Sequence, residues 1–565
     1  MRRNFFKRRY RDYEINPDEI LIDDANVSRM NTQQFEGVFQ KRISQKTLFF
    51  VGVFFILVFV IFSGRLISLQ LARGETYKEL AENNRLRQSP IFAERGVIYD
   101  RNGVEIAWND AREGYDFSYR SYTEMEGLGH LLGYVYYPEK DSSGFYWRNE
   151  IGGQAGLEKK YNDLLSGQNG AQLIEVDATN NLINDSKMTE PINGINLTTS
   201  VDAKIQHYLF KGIQEQAEEA GFTGGAGSIM DIETGELLAF TSYPEFDPYT
   251  LAEGSDTQAI NGFFNDPQKP FLNRVLSGVY SPGSTVKPFL GLAALNENLI
   301  NDSTRILSTG RIEIPNRYNP SQSSIFRDWR REGHGITDIR HAIADSVNTF
   351  FYAIGGGYQD QEGLGITRIE EYVRAFKLAE PTGIDFGNES EGTIPTPVWK
   401  EQIFEDGTWR LGDTYNTSIG QFGFQVTPIQ MTRAMAALAN KGTLVTPILL
   451  QGNSAQKEGI SMTISDADYE LVHAALRDTV TKGTAQIINT DATSFTAKTG
   501  TAQVGIDNEY FNSWVTGFFP YENPKYAFSV VMERAPEDSE GSAGRAMKSF
   551  IDQVTEHYPE FWQQF

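Results

Sequence analysis

Cysteine is absent from all 565 residues. That excludes disulfides, a thiolate nucleophile, zinc–thiolate sites and iron–sulfur clusters, and it leaves the redox compartment unread. Histidine is scarce, six in all, and without an H-E-x-x-H pattern no metal site is expected. Positive charge is in deficit: 51 Lys and Arg against 74 Asp and Glu give a net charge of -23, the wrong sign for a surface that binds nucleic acid. Neither G-x-x-x-x-G-K-[ST] nor a G-x-G-x-x-G tied to a βαβ unit occurs, so no nucleotide or other cofactor is expected. The 52 Gly and 21 Pro are close to average usage, which argues against both collagen-like and wholly disordered character. What is present is an ordinary 40% of hydrophobic residues in a chain long enough for several domains.

Basic residues concentrate at the start, Arg2, Arg3, Lys7, Arg8, Arg9 and Arg11, followed by Lys41, Arg42 and Lys46. From Thr47 to Gly64 no residue is charged, and the apolar run continues past Arg65. About 18 or more apolar residues suffice to span a bilayer, and Arg65 can snorkel to the interface. A cleaved signal peptide would need a shorter run with a small-residue cleavage site close to the first residue. Residues 47–71 therefore read as a transmembrane helix. By the positive-inside rule residues 1–46 form a cytoplasmic tail, mostly disordered, and the remainder is extracytoplasmic.

Residues 72–198 read as a small linking domain. A helical stretch from Tyr77 gives way to an extended one, with Arg101-Asn102-Gly103 as a turn, and Leu157, Tyr161 and Leu165 repeat every four residues as one helical face. Residues 199–565 read as the main domain. A helix from Ala203, a hairpin around Glu233-Thr234-Gly235 and three strand-like runs near the C-terminus flank a long, mostly helical middle. A sheet built from the two ends of the domain, with helices supplied between them, predicts an α/β sandwich rather than a doubly wound parallel fold. The pairs Phe350-Phe351 and Phe518-Phe519 read as core.

Three short patterns carry chemistry. In Ser281-Pro282-Gly283-Ser284-Thr285-Val286-Lys287-Pro288, a Pro-Gly turn precedes a helix whose first turn can hold Pro288. Ser284 then sits at a helix start, where free N–H groups favour a developing oxyanion, and Lys287 lies one turn on. Serine needs a base to become nucleophilic, and a buried lysine can be that base. An isolated S-x-x-K is also how a capped helix with an exposed Lys begins. Ser346-Val347-Asn348 within a helical stretch, and Lys498-Thr499-Gly500-Thr501 within a strand-like one, change the weighing. The order S-x-x-K, S-x-N, K-T-G is the signature set of penicillin-binding proteins and serine β-lactamases.

Over about residues 75–560 the chain resembles the class B penicillin-binding proteins, monofunctional peptidoglycan D,D-transpeptidases, and most of all their elongation-type branch, penicillin-binding protein 2. Besides the three motifs, Arg95-Gly96-Val97-Ile98-Tyr99-Asp100-Arg101-Asn102-Gly103 and Gly156-Leu157-Glu158 through Tyr161 resemble the family's pedestal. Asp328-Trp329, Gly333-His334-Gly335, Gly412-Asp413-Thr414, Ile419-Gly420-Gln421 and Thr427-Pro428 favour the elongation branch.

The resemblance implies a penicillin-binding, serine β-lactamase-like sandwich on a small α+β pedestal, and roles position by position. Ser284 would be acylated and Lys287 would take its proton. Ser346 would relay a proton to leaving D-alanine, and Lys498 would keep Lys287 deprotonated by its charge. Asn348 would hold the donor peptide, Thr499 and Thr501 its carboxylate beside Gly500, and the N–H groups of Ser284 and Thr501 would form the oxyanion hole. It also implies β-lactams as covalent inhibitors, a polytopic glycosyltransferase of the shape, elongation, division and sporulation class as partner, and residence in the bacterial inner membrane.

Two features depart from the family. Phe422 stands where Gly-Gln-Gly is common, and the segment between Asp110 and Gly129 is short, so the pedestal is reduced. A β-lactamase or D,D-carboxypeptidase, and a β-lactam sensor, are the alternatives. Asp328-Trp329 with Arg327, Arg330 and Arg331 reads either as a site for anionic or sugar-linked substrate or as a solvated charged turn.

Overall fold

Ser44 opens the first helix by accepting a hydrogen bond from Thr47 N at 3.1 Å. The helix runs Gln45–Ile67 (α1) and continues through a π-helical turn at Ser68–Ala72. None of the residues of α1 is buried, and the stretch Gln45–Leu71 is long and apolar enough to cross a membrane. A helix apolar all round with no protein against it fits lipid as its surroundings. The computed structural model describes residues 44–75, 86–142, 144–176, 182–315 and 322–565. They divide into a first unit ending at Leu86 and a second from Arg87 to Phe565. The expected tail before Ser44 and the helical stretch from Tyr77 lie outside the described residues.

In the second unit, Ile98–Tyr99, Glu105–Asp110 and Tyr119–Tyr122 form an antiparallel sheet. Leu197–Thr198 returns to join its edge in parallel with Ile98–Tyr99. The turn at Arg101–Gly103 forms as expected, tied by the Asp100 carboxylate, which accepts from Asn102 N at 2.8 Å and Val104 N at 2.9 Å. The single helix expected over Leu157–Leu165 is instead two, Gly156–Lys160 and Asn162–Leu165. Asn162 explains the break: its side-chain oxygen accepts from Gly153 N and from Arg95 Nη1. Leu157 and Leu165 are buried in the core, while Tyr161 turns outward to donate to Asp385. Glu158 is fully buried between Arg95 and Arg120, with Nε to carboxylate distances of 2.5 and 2.6 Å. Burial alone would raise its pKa, but the two guanidiniums hold the carboxyl below its ordinary value.

The main sheet has five antiparallel strands, Gly224–Asp231 (β1), Leu237–Tyr243 (β2), Thr496–Val504 (β3), Tyr510–Phe519 (β4) and Tyr526–Pro536 (β5), in the order β2-β1-β5-β4-β3. The helices that build around it are Ala203–Ala220 (α2), Lys287–Asn296 (α3), Asn348–Gly356 (α4), Pro428–Ala439 (α5), Asp466–Thr481 (α6) and Ala543–His557 (α7). Strand alternation sorts the two faces. Ile229, Phe528, Val530 and Met532 pack with Leu209, Ile213, Met547 and Phe550 of α2 and α7. Ala226, Met230, Ala527 and Val531 pack with Met431 and Met435 of α5. Because both faces are covered, β2, β4 and β5 read as largely apolar runs, whereas the edge strand β3 does not. Local signals fix the helix ends. The Asp202 carboxylate accepts from Lys204 N and Ile205 N at the start of α2, and Gly221 closes it in a left-handed conformation. Thr427 and Gln430 form a reciprocal capping box on α5. The sandwich expected from the sequence is the fold, with Phe350, Phe351, Phe518 and Phe519 all in its core.

Candidate active site

Residues Gly283–Val286 make one 3-10 turn that runs directly into α3, with Pro288 in the first helical turn. Val286, Phe289 and Leu290 are fully buried, which anchors this segment and carries Lys287 inside with them. The turn is fixed from two sides. Trp514 Nε1 of β4 donates to Ser281 O at 3.0 Å, and Gly283 N donates to Gly420 O at 3.0 Å. A Cβ on Gly420 would lie 2.1 Å from Gly283 O, and its φ is +75°, so only glycine brings that backbone so close. Gly500 serves the same end on β3: a Cβ there would lie 2.8 Å from Pro282 O. The glycine inside a strand-like run does mark a close approach, here between the strand and the turn that bears Ser284.

Ser346 does not lie within a helix, as its neighbours suggested. The helix Ile339–Ala344 ends before it and α4 begins after it, and Ser346 itself has φ +57°. Buried Val347 pulls the chain into the core at this point, and the left-handed residue turns both the Ser346 carbonyl and its hydroxyl toward the lysines. Lys287 Nζ donates to Ser346 O at 2.8 Å, to Asn348 Oδ1 at 2.7 Å and, more weakly, to Ser346 Oγ at 3.3 Å. Lys498 Nζ donates to the same Ser346 Oγ at 2.9 Å and to Thr499 O at 2.8 Å. Asn348 thus spends its oxygen on Lys287, and its amide nitrogen remains for a ligand in the cleft.

Both lysines are fully buried. Burial lowers Lys287 to about 7, with Asp328 pulling the other way. Burial is likewise the first cause for Lys498, and with the like charge of Lys287 it pushes that amine well below its ordinary value against the opposing pull of Asp345; the repulsion is mutual, because both ammonium groups meet at the Ser346 hydroxyl. Two ammonium groups that converge on one hydroxyl cannot both stay charged cheaply, so one amine is available as a base near neutral pH.

Asp328 is buried, which overturns the solvated-turn reading for this residue. Its carboxylate accepts from Thr349 N and Thr349 Oγ1, both at 2.9 Å, and so pins the start of α4. Trp329 is 60% exposed and its Nε1 donates to Asp345 O. Ser284, Trp329, Ser346, Asn348, Gln421, Thr499, Gly500 and Thr501 line one cleft of ≈ 460 Å³. Every site residue expected from the sequence is brought to this place: five of them and Ser284 line the cleft, and the two lysines donate to Ser346 on its wall. Sequence reasoning missed Thr484, whose hydroxyl is 2.7 Å from that of Thr499, along with Trp514, which lines the cleft. A Trp inside the strand that follows the K-T-G run was the one available signal.

A serine at a helix start, a buried amine and a hydroxyl relay, set against the edge strand of an antiparallel sheet, define a serine acyltransferase. A model of the penicillin-binding protein transpeptidase domain matches residues 225–552, and one of the penicillin-binding protein dimerisation domain matches residues 115–199. The peptidoglycan D,D-transpeptidase MrdA of Acinetobacter baumannii is 27% identical, over 91% of this chain and 88% of that protein. A crystal structure of Pseudomonas aeruginosa PBP2 in complex with WCK 5153 is similar at 28% identity and a TM-score of 0.67, over 83% of this chain and 96% of that one. PBP2 of Helicobacter pylori, solved in complex with MreC, is similar at 25% identity and a TM-score of 0.67, over 83% and 99%. The chain belongs to the penicillin-binding protein transpeptidase family, and it is an enzyme of that serine acyltransferase class with, among the described residues, one helix long and apolar enough to cross a membrane.

Proposed function

We propose that this chain is the D,D-transpeptidase that cross-links peptidoglycan stem peptides during cell-wall elongation, with residues 199–565 as the catalytic domain and 72–198 as its reduced pedestal. The observation that carries the site assignment is the convergence of Lys287 and Lys498 on Ser346, which lines one cleft with Ser284. Ser284 Oγ attacks the carbonyl carbon of the penultimate D-Ala, and its proton passes to Lys287 Nζ. The oxyanion is held by the N–H groups of Ser284 and Thr501. When the C–N bond breaks, Ser346 relays a proton from the lysines to the leaving terminal D-Ala, whose carboxylate rests on Thr499 and Thr501. Asn348 holds the donor peptide through its free amide nitrogen. An amine from a neighbouring strand then attacks the acyl-enzyme, returns its proton through the same relay, and frees Ser284.

Hydrolysis by a β-lactamase would need a base to activate water against the acyl-enzyme. Among the described residues lining the cleft none is a carboxylate, which favours transfer to an amine over transfer to water. Intact mass after exposure to a penicillin should show one adduct, mapped to Ser284 and lasting at least tens of minutes after excess drug is removed. An adduct on Ser281 or Ser346, or turnover of many drug molecules in that time, contradicts the reading.

The complex of the Helicobacter pylori relative with MreC supports a partner from the cell-shape and elongation machinery. The polytopic glycosyltransferase of the shape, elongation, division and sporulation class is the partner we assign. The basic residues before Thr47 support a single-pass anchor in the bacterial inner membrane with the N-terminus in the cytoplasm. Protease added outside intact spheroplasts should then cut after Ala72 and spare residues 1–46; cleavage confined to the tail would reverse the orientation.

A further inference from the structure

The loop Ile419–Gly423 does two things at once. Gln421 and Ile419 line the cleft, and Gly420 O receives the N–H of Gly283, the residue before Ser284. The next residue, Phe422, has φ +62°, a left-handed conformation that a side chain with a Cβ adopts only where its surroundings over-determine it. Those surroundings are an aromatic box, half-buried and open to solvent on the side of Phe404. The Phe422 ring stacks on Phe404 with centroids 5.9 Å apart and planes 9° apart, and it meets Trp399 and Trp409 edge-on, each at 5.8 Å. The Lys400 ammonium lies 5.4 Å from the ring centroid and is itself fixed by Asp413 at 2.6 Å and Thr408 O at 2.8 Å. Trp409 is held in turn through its Nε1, which donates to Thr414 Oγ1 at 2.9 Å.

We propose that Phe422 is a positioning residue for acyl transfer: its boxed ring pins the Gly420–Gln421 backbone, and that backbone holds the turn bearing Ser284 and Lys287 in register with Ser346 and Lys498. Phe422 touches neither substrate nor the reacting atoms. Its ring reaches the site only through the loop it anchors, over two residues of chain and one hydrogen bond. The same strained backbone that costs stability at Phe422 gives the carbonyl of Gly420 a fixed direction, and the aromatic and cationic walls supply what offsets that cost. The proposal rests on the reading of Ser284 as the acylated residue.

The test uses the full-length chain in detergent and separates the first-order acylation constant for a fluorescent penicillin from the pre-covalent dissociation constant. Phe422→Gly relieves the left-handed strain yet removes the anchor. It is expected to lower the first-order constant about tenfold or more, the scale of a small misplacement of reacting groups, while the dissociation constant stays within about twofold. Phe422→Leu, which refills the box without stacking, should fall between. If Phe422→Gly does not fold, Trp409→Leu, which opens one wall and leaves the loop sequence intact, decides by the same two constants. A wild-type chain not acylated at Ser284 contradicts the earlier reading. A wild-type chain acylated there, with the variant's first-order constant unchanged or only its affinity reduced, overturns the positioning role.

Discussion

Arginine in place of Lys287 is expected to lower the rate of acylation by a penicillin about 10²-fold or more, the usual scale for loss of a general base. The substitution keeps a positive charge at the position, but a guanidinium does not deprotonate in proteins and cannot take the Ser284 proton. The wild-type amine can, because burial lowers it to about 7. The sign of the pH dependence follows: the base form is the neutral one, so the wild-type acylation constant should rise with pH, with a midpoint near 7, and level off above it. The arginine variant should show no such rise. Stopped-flow acylation from pH 5.5 to 9 reads both, and an arginine variant with the native rate and profile would reduce Lys287 to an electrostatic or packing role.

The second large effect is structural and lies far from the chemistry. Glu158→Ala should cost the pedestal about 3–5 kcal/mol, the penalty for leaving buried charges without their partner. Arg95 and Arg120 are both buried. Arg95 retains the carbonyls of Ile151 and Glu158 and the side chain of Asn162 as acceptors, but Arg120 retains only Asn109. Glu158→Gln, which keeps the shape and loses the charge, should cost less. Native-state hydrogen exchange reads this directly: amides of residues 95–165 should lose protection in the alanine variant, while those of β4 and β5 keep it. Equal loss throughout would mean that pedestal and catalytic sheet unfold as one. Full protection in both would mean that the ion pair does not hold the pedestal together.

The candidate site was legible as a constellation because acyl transfer by a serine demands fixed residue types at fixed short spacings, so Ser284 with Lys287, Ser346 with Asn348, and Lys498 with its Thr-Gly-Thr could be expected at one place, where the fold brings them together. The sheet was legible because strands covered on both faces leave long apolar runs. The conformation of Ser346 was not, since the apolar pattern of Ile339–Ala344 and Asn348–Gly356 reads as one helix across it, and the weak helix formers Asp345, Ser346 and Val347 let the burial of Val347 decide the break. Asp328 was taken as either solvated or substrate-facing because an acid beside Trp and three Arg looks like a surface turn; its burial depends on Thr349, twenty-one residues on. Phe422 stood out as unusual, yet the box that explains it is drawn from Trp399, Phe404 and Trp409, whose spacings match neither a helix nor a strand. The S-x-x-K pattern asks for a buried lysine; that Lys287 is fully buried follows from Val286, Phe289 and Leu290, the apolar residues that carry it into the core.

The order of strands in the main sheet bears on how the protein comes into being. The outer pair β1 and β2 is made early, but β1's other neighbour is β5, and the strand carrying Lys498 is made only after the whole helical middle. Some 250 residues separate Tyr243 from Thr496, which at roughly 5–20 residues per second is about 12–50 s of synthesis. Through that interval β1 offers an unpaired edge and Ser284 has no Lys498 opposite it. A nascent chain of this kind is therefore exposed to wrong pairing before it is exposed to substrate, and the site is completed all at once, when the last three strands close the sheet.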